Sequence, residues 1–511
     1  MPQNLILRVN WILMYLPALF SASLMFLLNK PFLDDSWDSA VLPIYEITRL
    51  DYLLDEWFLN ASMFEQYFQV KFFLFTANWL DISYFSIHKI FLSLIAFLIV
   101  SEVTHLVTNV TQNRNWGLFG GIFAALFPTW PLSIASVLDF YLLALWLGLI
   151  GVRTFTQSTK KSSRTLGLIA FLFSTGYAVM YPICISLFLI YKYLGLDSRV
   201  NPTLLRKLFW ILFSTLLSKF VITRLLFPAR ENFEGYNSFL NLIYFESWIS
   251  VFTGVKAYSS FALYFAIVIL VPICIQSLLS TSKTAQSMTY LLINPRSNSL
   301  LKFCILLIFA SVLPFIFVGK STSLFWIEYN TGRHAIPLIM ALPLALSILG
   351  QSILEATKFL RFSRIPMAIS ITLIFSVSIF IGSKSWVQRI EESRIRTAVY
   401  QALEPWSDKI APGLVRIELQ GPRPYSANTL DAALLMFRLT NNLYHYTILR
   451  TDGLGAVESF PTFSQLRQSR YPFQKNSTNC KSDFLLNVNS DPGTLLSNLN
   501  YKVVNYSQSC E

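Results

Sequence analysis

Charge is what this chain has least of. Of its 511 residues, 13% are Asp, Glu, Lys or Arg, whereas 54% are apolar and 15% aromatic, and the mean hydropathy is +0.51. Soluble domains of this total length would carry far more polar surface, so the composition is that of a polytopic membrane protein. The signatures of soluble enzymes are missing too: there is no GxGxxG or Walker loop, no HExxH and no CxxC. Internal repeats and low-complexity tracts are absent. Cysteine is sparse, and Cys184, Cys274 and Cys304 sit in apolar runs without metal-ligand spacing, which reads as packing. The first apolar run, Trp11 to Leu28, lacks a small-residue cleavage site, so a retained first helix is expected rather than a signal peptide. The net charge of +12 is dispersed through short loops instead of lying on one face. Nucleic acid is therefore not an expected partner, and membrane orientation accounts for the basic residues.

What is present is a series of apolar runs at 10–29, 86–108, 116–131, 132–151, 166–180, 182–195, 207–227, 259–279, 302–319, 335–354 and 366–382. The loops 152–165 (with Arg153, Lys160, Lys161 and Arg164), 196–207, 280–302 and 357–365 are basic and are expected on the cytoplasmic side. They share that side only if 166–195 forms two short helices turning at Tyr181-Pro182. The fold class expected is mainly α: a bundle of about 11 spans, N-terminus inside and C-terminus outside, with interfacial helices. Residues 1–382 would form this transmembrane domain, with 30–85 as the first outer loop and charged, apolar-spaced helices over 40–57. Residues 383–511 read as a small C-terminal α/β domain outside the cytoplasm. It has a helix-like stretch over 385–403, strand-like runs 414–419, 484–488 and 501–505, and a helix-like run 430–439. Cys480 and Cys510 lie in this segment, where they fit equally a bridge closing a loop of about 30 residues or two free thiols.

The chemistry-bearing residues cluster on the expected outer face. Asp34-Asp35-Ser36-Trp37-Asp38 directly follows the first span. A carboxylate there can act as general base toward an acceptor hydroxyl while its neighbour binds the acceptor or a Mg²⁺ or Mn²⁺ ion. The same acids also suit the N-cap and first turn of an interfacial helix. In the loop between the ninth and tenth spans, Lys320 and Arg333 can clamp a phosphate, and His334 can donate to the same group. An ion pair across the bundle is the competing role for Arg333. The outer stretch 228–258 adds Arg230, Glu231 and Trp248, which fit a substrate groove or an interfacial aromatic belt. His88 and His105 are expected to be structural. Asp139 reads as the one carboxylate well inside an apolar run.

An Asp pair in the first outer loop, followed by interfacial helices, many spans and an outer C-terminal domain, resembles the GT-C superfamily of integral membrane glycosyltransferases. The resemblance implies sugar transfer from a polyprenyl-phosphate donor to a glycan, lipid or protein acceptor on the non-cytoplasmic face, with inversion. By position it implies that Asp34 or Asp35 is the catalytic base and that Arg333 with Lys320 binds the carrier phosphate. The expected setting is a multi-pass protein of a bacterial plasma membrane. The sequons at Asn60, Asn476 and Asn505 would face an ER lumen in a eukaryotic source. The alternatives are a lipid-linked glycan polymerase, ligase or flippase in cell-surface polysaccharide assembly, and a non-enzymatic scaffold. A flippase would place several charges deep in its bundle.

Overall fold

The computed structural model describes residues 3–28, 64–82, 84–127, 130, 139–175, 338–357, 401–409, 413–420, 447–451, 480–489 and 500–510, with single helical positions between 203 and 217, at 308 and 311, and between 372 and 394. The described part is mostly helical. It divides into two compact units: one holds the apolar helices, and the other, from Trp386 onward, holds a sheet.

In the helical unit, α1 (Gln3–Leu28), α2 (Phe64–Leu80), α3 (Tyr84–Thr111), α4 (Arg114–Ala125), α5 (Asp139–Gln157), α6 (Lys161–Thr175) and α7 (Leu338–Thr357) pack around α3, which touches α1, α2, α4, α5 and α7. Within α3, Ser86–Thr111 is long and apolar enough to cross a membrane, and it alone among the described helices meets that measure. Its buried residues include Leu92, Ile95, Ile99, Val103 and Val107. Hydroxyls along the helices avoid stranding their polar atoms by turning back on the same helix. Thr104, Thr108 and Thr111 donate to the carbonyls of Val100, Thr104 and Val107, each at 2.7 Å, and Ser347 of α7 donates to Pro343 at 2.6 Å.

The helices are apolar on their outward faces as well as inward. On α1, Met14, Ala18, Ser21 and Met25 form the buried stripe, while Leu16, Leu19, Phe20 and Leu27 are exposed. On α2, Phe73 and Ala77 pack on Ile87 and Phe91 of α3, with rings of Phe73 and Phe91 4.8 Å apart, and Phe72, Phe75 and Trp79 face outward. Trp79 is 75% exposed. Contiguous outward Leu, Phe and Trp are what a helix shows when its surroundings are themselves apolar.

The helix ends follow local chemistry. Asp81, at φ 52°, takes the left-handed turn that stops α2, and Ile82 N–H donates to the carbonyl of Ala77 at 3.1 Å. Asn113 caps α4 by accepting from the backbone N–H of Asn115 at 2.9 Å. Gln351 of α7 reaches the Thr111 carbonyl at the end of α3, 3.0 Å away. The apolar run read as 116–131 ends as a helix at Ala125, before Pro128, and the Trp130 indole donates to the Ala124 carbonyl at 2.7 Å.

Two seams are narrow because glycines leave no room for a side chain of their own. Gly117 and Gly121 of α4, spaced one turn apart, lie against Thr108 and Thr104 of α3, where any Cβ would collide with the threonine hydroxyls. Between α5 and α6, a Cβ on Gly151 would sit 2.7 Å from the Phe171 nitrogen, and one on Gly167 would sit 2.7 Å from the Phe155 nitrogen. The hairpin turn between them is closed by Arg164, whose Nε donates to the Ser158 carbonyl at 2.7 Å.

The second unit carries a four-stranded sheet of order β2-β1-β3-β4, with β1 (Gly413–Gln420), β2 (Thr447–Thr451), β3 (Cys480–Asn489) and β4 (Asn500–Cys510). β1 runs parallel to both β2 and β3, and β4 is antiparallel to β3, with a register irregularity between Leu485 and Leu486. Parallel neighbours need crossover connections, and the chain between β1 and β2 contains the helix-like run 430–439, which lies outside the described residues. The 3-10 helix Glu404–Lys409 brings Trp406 to Tyr506 of β4, ring centroids 5.1 Å apart.

Candidate functional site

Asp34, Asp35, Asp38, Arg230, Lys320, Arg333 and His334 all lie outside the described residues. So do the spans expected at 182–195 and 259–279 and the interfacial helices expected over 40–57. Among the described residues, the chemistry of the helical unit is concentrated where α1, α3 and α5 meet.

There Glu102 of α3, 9% exposed, accepts from Arg153 of α5, with Nη2 2.8 Å from Oε1. His105 lies one helical turn beyond Glu102 on the same side of α3. Its ring meets Tyr15 of α1 edge-on at 5.8 Å, and Tyr15 stacks with Phe97 at 6.2 Å. The Ser101 hydroxyl and the Trp146 indole N–H are buried without a hydrogen-bond partner among the described residues. Trp146 sits two turns before Arg153 on α5, on the same face. The result is a carboxylate paired with a guanidinium, with an imidazole one turn along the same helix.

One reading of the sequence is corrected here. Arg153, counted with the basic loop 152–165, is on α5 and spends its charge on Glu102 rather than in a loop; α5 continues to Gln157 because nothing in Val152–Gln157 breaks a helix. Asp139 is the first described residue of α5. Glu102 is a second carboxylate well inside an apolar run. Its signal was in the sequence: a lone acid in Leu92–Val110, among residues that cannot solvate it.

An ion pair in such surroundings fixes the rotation of α5 against α3, since either charge alone would be stranded. Among the described residues, no three His, Cys, Asp or Glu side chains converge as metal ligands. No protein-family profile, no curated protein and no solved structure matches this chain.

Proposed function

We propose that this chain is a multi-pass membrane glycosyltransferase that moves a sugar from a polyprenyl-phosphate-linked donor to an acceptor hydroxyl on the non-cytoplasmic face. The observation that carries the reading is the position of Asp34 and Asp35, which follow closely on α1 as it ends at Leu28. Support for a membrane setting comes from the long apolar stretch of α3 and from the outward Leu, Phe and Trp side chains of α1 and α2. About 11 spans, with the N-terminus cytoplasmic and the sheet unit outside, complete the proposed arrangement.

In this mechanism the acceptor oxygen attacks the anomeric carbon while Asp34 or Asp35 takes its proton, and Asp38 orients the acceptor. The bond to the carrier phosphate breaks with inversion. The negative charge on the departing polyprenyl phosphate is met by Arg333 and Lys320, with His334 donating and Arg230 flanking. Asp34 and Asp35 also offer the hard oxygen donors that Mg²⁺ and Mn²⁺ prefer, and such an ion would add positive charge beside the phosphate.

The test is transfer in membranes containing wild-type, Asp34→Asn or Asp35→Asn protein, with polyprenyl-phosphate-linked sugars as donors and solubilised protein checked for a monodisperse peak. Loss of transfer in at least one variant is expected, and full activity in both removes the base assignment. Arg333→Ala should raise the apparent KM for donor more than that for acceptor.

The buried Glu102–Arg153 pair favours a second reading, a lipid-linked glycan flippase, because it puts opposite charges inside the bundle. If that reading holds, Glu102→Gln stops passage of the lipid-linked glycan across the membrane while Asp34→Asn leaves it intact.

A further inference from the structure

The ladder between β3 and β4 begins with Cys480 opposite Cys510, followed by Lys481 opposite Ser509 and Ser482 opposite Gln508. In sequence these cysteines are separated by about 30 residues, and composition leaves them equally compatible with a bridge or with free thiols. The register removes that balance. Directly opposed residues on antiparallel strands have their Cα atoms about 4.5–5.5 Å apart and their Cβ atoms on the same face. A disulfide spans Cα separations of about 4.4–6.8 Å, so this position needs no backbone movement to be bridged.

We infer that Cys480 and Cys510 form a disulfide that locks the outer edge strand β4 to β3. The inference rests on the proposed extracytoplasmic position of the sheet unit, since a bridge persists only in an oxidising compartment. In the reaction the two thiols lose two protons and two electrons as the Sγ–Sγ bond forms. A dithiol–disulfide oxidoreductase in its disulfide form accepts both and is reduced to its dithiol. The bridge serves a specific weakness of the sheet. β4 is an edge strand with one hydrogen-bonded neighbour, and its ladder is interrupted at Leu485/Leu486, so the end holding Cys480 and Cys510 is separated from the rest by that irregularity.

The experiment is thiol counting on the full chain. Protein from membranes is quenched in acid, denatured and treated with a maleimide–polyethylene glycol reagent before and after reduction. With five cysteines in the chain, three additions are expected without reductant and five with it. A Cys480→Ser variant should show four in both conditions, because Cys510 loses its partner. Five additions in unreduced wild type overturn the inference. Whether the topology fails with it is read separately, by protease access to the sheet unit in sealed right-side-out vesicles. Protection there means the compartment assignment was wrong, whereas cleavage beside free thiols means the bridge alone was wrong. Oxidising the purified, reduced chain with copper phenanthroline tests the register independently of compartment: a Cys480–Cys510 peptide is expected by mass spectrometry, and its absence also overturns the inference.

Discussion

The helix α5 is held on two sides by opposite means. Against α6 it presents Gly151 to Gly167 and lets the two backbones approach closely. Against α3 it presents Arg153 to Glu102, a charge pair 2.8 Å long. In the proposed membrane setting, the contrast shows what is left to hold helices together when the surroundings are as apolar as the side chains. Burial of Leu or Phe then gives little advantage, and association falls to close van der Waals fit on one face and to electrostatics on another.

The glycine seam is the one most easily broken. Gly167→Leu forces a side chain onto the Phe155 backbone, which cannot turn aside as a flexible side chain would, and should cost about 3 kcal/mol or more. The expected result is loss of the monodisperse peak and a melting point too low to measure. Near-normal melting of this variant would mean that the helices do not approach so closely.

The charge seam should yield less. Glu102→Gln is expected to cost about 2 kcal/mol, below the full penalty of a stranded buried charge because Arg153 keeps some access to the exterior. The double variant Glu102→Gln, Arg153→Met should be more stable than the sum of the singles predicts, by about 1 kcal/mol, measured by thermal unfolding in detergent. Strict additivity would show that the two residues do not act as a pair. Smallest should be the end of α3: Gln351→Ala removes one hydrogen bond to the Thr111 carbonyl and should cost about 1 kcal/mol.

Much of this was legible in the chain and some was not, for reasons that differ by residue. The helices α1, α3, α6 and α7 lie where long apolar runs lie, since runs of that length without turn residues favour helix over strand. Strands β1, β3 and β4 cover the runs 414–419, 484–488 and 501–505, whose β-branched and aliphatic residues suit a sheet. β2, Thr447–Thr451, gave too short a pattern to be seen. Glu102 and Arg153 were missed as a pair since their partnership depends on two helices meeting, which no spacing along the chain records. The same holds for Cys480 and Cys510: only strand register puts them opposite each other. For the glycines of α4 the spacing was readable, but their partners Thr104 and Thr108 were not. The proposed catalytic acids and phosphate ligands rest on sequence, as they fall outside the described residues.

Trp79, on the outward side of α2, would make that helix an optical reporter once the other eleven of the chain's twelve tryptophans are replaced. An indole so placed reports the polarity and depth of whatever touches it. Because α2 ends one residue later at Leu80, just before the left-handed Asp81, its emission also tracks the corner that leads into α3.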